Sequence, residues 1–310
     1  MTVGVNKRLL VVTGKGGVGR SVVTAALGIA AANAGRTTTT VEFDGLSSVA
    51  QLHGLNGRKF DPRVVTPNLD TMSLTVMECL GDFGRRVLKI GALVRVVFQN
   101  RIVRALVDGV PGIHDLLQLG KLRNLLAEPL PRDRKYDLAI LDAPATGHGL
   151  TLLDSGLTMA ELTRVGPLHE EANQIEAWLG SSDLTGIVIV TLAERLPVQE
   201  ALELLDNLGD KRAQVVAVVL NQTQLTSQDV AATDALQDAV RLAGRDDLAG
   251  LLDRDRAVAH RQQQAAGVLR NGLEERGLTD VNLIVLPKLR TPVNRSGIQT
   301  LAGHMEVFDG

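Results

Sequence analysis

The chain has 310 residues, 45% of them apolar and 22% charged, with a net charge of −2 and only 2% aromatics. That is ordinary globular composition with enough material for a sizeable core. The near-neutral charge argues against nucleic acid as a partner, and the scarcity of aromatics argues against a stacking surface for single strands. One cysteine, Cys79, excludes a disulfide within the chain, reads as a core filler and fits a reducing, cytoplasmic setting. No secretory leader is expected, because the apolar run after Lys7 and Arg8 is too short. No transmembrane segment is expected either, since no stretch approaches about 18 uncharged apolar residues.

In chain order, residues 9–12 are a short apolar run that predicts a strand buried on both faces, turning at Thr13-Gly14. An alanine-rich helix is predicted over 21–33, ended by Gly35, and a β-branched strand over 37–43, ending at Asp44. Strand, helix, strand within about 35 residues is the spacing of a βαβ unit. The rhythm returns at 136–141 before Asp142, at 185–192, at 215–220 before Asn221-Gln222, and at 281–286 before Pro287. Helical patterns separate these runs, as at 198–208. The alternation predicts an α/β fold: a single domain over 1–310 built on a doubly wound, mostly parallel sheet, with chemistry at the carboxyl ends of its strands.

Residues 73–131 break the rhythm. After a last strand-like run at 74–77 they read as a helical insertion. It carries Phe83, Val87, Leu93, Val97, Phe98 and Leu106, with Arg85, Arg86, Arg95 and Arg101 interleaved. A second, more polar helical stretch is predicted over 226–276.

Gly14-Lys15-Gly16-Gly17-Val18-Gly19-Arg20-Ser21 follows the pattern G-x-x-x-x-G-K-[ST], except that Arg20 stands in the lysine position. Glycines let backbone N–H groups converge on phosphate oxygens, and the start of the following helix adds a favourable dipole for an anion. The Ser21 hydroxyl suits Mg²⁺ held between phosphates. The strand before, the helix after and the acidic strand ends make a chance glycine turn the poorer reading. The expectation is ATP with Mg²⁺, bound by Gly14 through Val22.

Lys15, placed ahead of Gly16-Gly17, resembles the signature of the deviant Walker A group, which includes partition ATPases, MinD, nitrogenase iron protein and the ArsA/GET ATPases. Asp142-Ala143-Pro144-Ala145-Thr146-Gly147-His148-Gly149-Leu150 resembles the switch II segment of the ArsA/GET family, D-x-x-P-T-G-H-x-L. Further matches follow in the family's order. Pro111-Gly112-Ile113-His114-Asp115 resembles its P-G-I-D-E run, and 191–199, with Glu194 and Pro197, its T-x-x-E-x-x-P segment. Asn221-Gln222 resembles its asparagine at the adenine, and 287–297, from Pro287, its C-terminal adenine loop. The similarity covers nearly the whole chain and points to the bacterial ArsA/GET-like proteins.

The resemblance implies a nucleotide-sandwich dimer in which Lys15 reaches the partner's nucleotide. It implies that Asp44 orients and deprotonates the attacking water, and that Asp44 and Asp142 act on the metal through water. Asp142 would couple the phosphate to switch II, Pro144, Thr146, Gly147 and His148. In the tail-anchored targeting branch of the family the insertions of two subunits form a groove for a client's membrane helix, and residues 83–110 have the aliphatic content either for such a groove, serving a hydrophobic client or membrane-associated protein, or for an ordinary dimer or core-facing helix pair. Asp44 also suits the N-cap of a helix over 49–52.

This chain departs from the family at several points. Switch I reads Asp44-Gly45-Leu46-Ser47-Ser48 where the family has D-P-A-x-[NS]. Arg20 keeps the lysine's charge but is longer and forked, so slow hydrolysis is expected. The family's zinc and arsenite cysteines are absent, so neither a shared zinc nor an arsenite pump role is expected. Three readings stand: a dimeric ATPase that handles a hydrophobic client, a catalytically weak subunit paired with an active ArsA-like paralogue, and a MinD- or partition-type positioning ATPase. The last would want an amphipathic tail or a basic face, and 303–310 offers neither.

Overall fold

A computed structural model describes residues 6–43, 47–86, 109–110, 112–127, 136–144, 148–163, 165–224, 236, 239–240, 242–243, 246–289 and 292–305. Side chains are described for all of these except 148–150, 162–163, 246–249 and 251. Eight strands form one sheet: β1 (Leu9–Gly14), β2 (Thr38–Phe43), β3 (Arg63–Thr66), β4 (Leu69–Leu74), β5 (Leu138–Asp142), β6 (Thr185–Leu192), β7 (Val215–Thr223) and β8 (Asn282–Pro287). Their order is β3-β4-β2-β5-β1-β6-β7-β8, and every pair is parallel except β3 with β4. This is the doubly wound, mostly parallel α/β sheet that the alternation predicts.

Side-chain alternation along the strands assigns the two faces. Leu10, Val12, Ile140, Val188 and Val219 pack under helix α1 (Arg20–Asn33), α2 (Ser48–Leu52) and α9 (Arg295–Ala302). The small residues of α1 let it lie close to the sheet: a Cβ on Gly28 would stand 2.8 Å from the Thr40 methyl. On the opposite face, Leu9, Val11, Val41, Leu141 and Ile189 meet larger side chains. These come from α3 (Val76–Arg86), α4 (Ile113–Ala127), α5 (His148–Thr163), α6 (Pro167–Gly180), α7 (Arg195–Asn207) and α8 (Asp246–Glu275). β1 is buried along its whole length because both its faces are covered.

The structure differs from the expectation around residue 74. The strand ends at Leu74, and Val76 and Met77 open α3. Thr75 accepts a hydrogen bond from the Glu78 amide at 3.4 Å, and its hydroxyl donates to the Glu78 carboxylate. Thr75 thus caps the start of α3 through the Thr-x-x-Glu spacing, which overrides the β-branched character of the run. β3 and β4 were not expected at all. α3 and α4 lie on the sheet, with Leu80, Phe83, Leu116 and Leu122 in the core and the Gln118 amide donating to the Leu74 carbonyl at 2.9 Å. Residues 87–108, with Val87, Leu93, Val97, Phe98 and Leu106, lie outside the described residues. Among the described residues, no helix is long and apolar enough to cross a membrane.

Candidate functional site

β1 delivers the loop Gly14–Ser21 to the carboxyl edge of the sheet, between β5 and β6. Two of its glycines are required by geometry. Gly14 has φ 151°, and a Cβ there would stand 2.3 Å from the Val190 carbonyl oxygen. Gly19, at the N-cap of α1, has φ 90°, and its Cβ would stand 2.3 Å from the Asn221 side-chain nitrogen. Above Gly16 and Gly17 there is open space. No side chain caps α1, so its first N–H groups are available to an anion.

Val18 is buried and anchors the loop, and its carbonyl accepts a 2.9 Å hydrogen bond from Asn221 Nδ2. Asn221 Oδ1 in turn accepts the Gln222 amide at 2.9 Å, which fits the left-handed Gln222, φ 57°. A hollow of about 170 Å³ opens here, lined by Gly19, Val22, Asn221, Gln222, Pro287 and Leu289 among others. It combines amide groups with aliphatic walls, the surroundings a heteroaromatic base would use. The structure thus brings Asn221 and Pro287 to one side of the loop.

Three of the side chains expected to meet phosphate or metal, Ser21, Arg20 and Lys15, are held by other groups of the protein. The Ser21 hydroxyl donates to Asp142 Oδ2 at 2.5 Å. The Arg20 guanidinium donates to the Ala143 carbonyl, immediately after β5. Lys15 Nζ, about half exposed, pairs with Glu200 Oε1 on α7 at 3.0 Å. Burial pushes the Asp142 carboxyl above its usual range, while the Ser21 hydroxyl and the Arg20 charge draw it down. Pro144 follows β5, and His148 opens α5. Asp44, Thr146 and Gly147 lie outside the described residues.

Glu42 was missed in the sequence reading. It sits on β2 directly across from Asp142 on β5 and is 4% exposed. Burial, opposed by the Val49 amide and reinforced by Asp142, pushes its carboxyl up to about 7; the Ser48 and Ala50 amides also draw it down. Its signal in the sequence is an acid within an otherwise apolar and β-branched strand. Glu200 was missed too, and a helix-surface glutamate carries no local signal.

A hard cation fits this corner. Ser21 supplies a hydroxyl oxygen, and Asp142 Oδ1 is buried without a hydrogen-bond partner. Among the described residues no group of three or more His, Cys, Asp or Glu could hold a metal. A larger groove of about 810 Å³ runs between α7 and α8, over Val198 and Ala265, and none of the expected nucleotide-binding residues lines it.

A sequence model of the family described as "Anion-transporting ATPase" matches residues 7–166. The chain is 31% identical over 244 residues to ATPase BagA of Mycobacterium tuberculosis, covering 72% of this chain and 68% of that protein. It is 24% identical over 309 residues to the arsenical pump-driving ATPase of Acidiphilium multivorum, covering 94% of this chain and 48% of that protein.

Proposed function

This chain belongs to the ArsA-type anion-transporting ATPase family, and on that premise we propose that it binds and hydrolyses ATP with Mg²⁺ in the cytoplasm. We propose further that it works as a dimer whose nucleotide state drives the handling of a hydrophobic client. The observation that carries the reading is the glycine loop at the start of α1, with Ser21 on Asp142, Arg20 on the Ala143 carbonyl and Lys15 on Glu200. These are the groups that hold phosphate and metal in a loop of this kind, each resting on an internal partner that an incoming nucleotide can replace.

In this reading the loop amides and the N-terminus of α1 bind the phosphates, with Arg20 and Lys15 adding positive charge. The base enters the hollow beside Asn221 and Pro287. Ser21 would hold Mg²⁺, with Asp142 and Asp44 acting on it through water, and the cation would neutralise charge on the phosphate oxygens. Asp44 orients the attacking water and accepts its proton. Asp142 lies between Ser21 and the strand end that leads to Pro144, Thr146, Gly147 and His148, so it links phosphate to switch II. Lys15 leaves Glu200 for the nucleotide of a partner subunit. No arsenical role is proposed, because the single cysteine, Cys79, is buried in the core.

A second reading, a catalytically weak subunit paired with an ArsA-like paralogue, is favoured by the Arg20 contact with Ala143. A guanidinium engaged on backbone is a poor substitute for a point charge placed between two phosphates. The test is ATP titration, phosphate release and nucleotide-dependent sizing of the wild type and Asp44→Asn. Wild-type turnover that falls at least about 100-fold in Asp44→Asn supports the first reading. Equal rates in both remove the role of Asp44. Tight ATP binding with negligible wild-type turnover selects the second, and absence of ATP binding rejects both.

A further inference from the structure

Glu42 belongs to neither of the motifs that define the site, yet it stands inside it. In β5, Leu138 and Ile140 face α1, so Asp142 faces the same way, as its contact with Ser21 at the start of α1 shows. Glu42 is the parallel-strand neighbour of Asp142 and projects from the same face. Both carboxyl groups carry a buried oxygen with no hydrogen-bond partner, Glu42 Oε2 and Asp142 Oδ1. The amides of Ser48, Val49 and Ala50 at the start of α2 donate toward the Glu42 carboxyl, and its Oε2 is left without a donor.

Two neighbouring buried carboxyl groups with unsatisfied oxygens repel each other and are costly unless a positive charge or a proton lies between them. No salt bridge to Glu42 occurs among the described residues. Arg20 contributes charge to Asp142 but not to Glu42. A compact cation with a preference for oxygen would supply that charge.

We propose that Glu42 is a further carboxylate of the Mg²⁺ site, beyond Asp142 and Asp44, acting with Asp142 and the Ser21 hydroxyl on the cation that accompanies the nucleotide. The proposal rests on the nucleotide reading above and adds to it a residue outside the phosphate loop and both switch segments. It also gives the end of β2 a direct interest in whether the metal is present, ahead of the segment that holds Asp44.

The experiment is binding of Mn²⁺ together with ADP, followed by electron paramagnetic resonance, so that no turnover is needed. Wild type, Glu42→Gln, Glu42→Asp and Asp142→Asn are compared. ADP affinity is also measured with EDTA, and folding is checked by thermal unfolding. Glutamine keeps an acceptor for the α2 amides but removes the charge. Glu42→Gln should weaken Mn²⁺ about 10-fold, the size of one charge-assisted ligand contact. It should leave metal-free ADP binding equal or tighter, because one negative charge near the phosphates is gone. Glu42→Asp should fall between Glu42→Gln and wild type, and it carries the test if Glu42→Gln does not fold. Unchanged Mn²⁺ affinity in whichever folded variant carries the test, with Asp142→Asn impaired, overturns the proposal and leaves Glu42 as a cap for α2. A wild type that binds no ADP overturns the nucleotide reading itself, and this proposal with it.

Discussion

Two segments meet where β1, β2 and β5 end, and they treat their polar groups in opposite ways. In the phosphate loop, Lys15, Arg20 and Ser21 each hold a partner, Val18 accepts from Asn221 on β7, and glycines at positive φ place the backbone without strain. On the flank of α2, Glu42 Oε2, the Ser47 hydroxyl and both ring nitrogens of His53 are buried with no partner. Ser47 also adopts a left-handed conformation, φ 61°, that costs a residue other than glycine about 1 kcal/mol or more. The loop is therefore preorganised, and a ligand has only to exchange contacts there. The α2 flank carries unsatisfied groups that a ligand or a rearrangement would relieve, which makes it the segment expected to move when nucleotide and metal arrive.

The comparison breaks most directly at Gly19. Gly19→Ala forces a side chain into a left-handed position and onto the Asn221 amide. Left-handed strain and a displaced hydrogen bond together predict a loss of about 100-fold in ATP affinity, measured by titration. Affinity equal to wild type would show that the loop is not preorganised as described.

His53 sharpens the other half. Burial, with the charge of Arg295 adding to it, holds its imidazole down to about 4 against an ordinary 6.5. Protonation is thus easier in the unfolded chain. The contribution of His53 to stability is fully present above pH 6.5 and is lost as pH falls from 6.5 toward 4, by at most about 3 kcal/mol. Urea unfolding at pH 7 and pH 4.5 should show this loss in the wild type, and His53→Phe should lose less between the two values. An identical acid loss in His53→Phe would place the unsatisfied groups elsewhere.

The smallest effect is expected at Glu200. Its pair with Lys15 is exposed and screened, so Glu200→Gln should change stability by less than about 1 kcal/mol. By releasing Lys15 it should strengthen ATP binding by less than about 5-fold. Weaker binding in Glu200→Gln would mean that the pair positions the loop rather than competing with phosphate.

The difference between the two segments also explains what was readable in advance. The phosphate loop is local: a buried strand, glycines and a helix start follow one another in the chain. The run 74–77 reads as a strand from Thr75 and Val76, whereas the Thr75 cap on Glu78 acts across one helical turn and starts a helix there. β3 and β4 were missed although β4 pairs directly with β2, because β3 is a short edge strand and β4 mixes Asp70, Thr71 and Ser73 into a buried run.

The amino-acid order alone determined the α/β class, the parallel alternation, the loop from Gly14 to Ser21 and the positions of Asp142 and Asn221 at strand ends, because each follows from neighbours in sequence. Only the tertiary structure decided that β5 inserts between β1 and β2 and so sets Glu42 against Asp142. It alone decided that α7 lies within reach of Lys15, and that Pro287 closes a hollow beside Gly19. Those juxtapositions depend on strand order and helix placement, which are fixed by packing the two faces of the whole sheet and leave no mark on any short stretch of sequence.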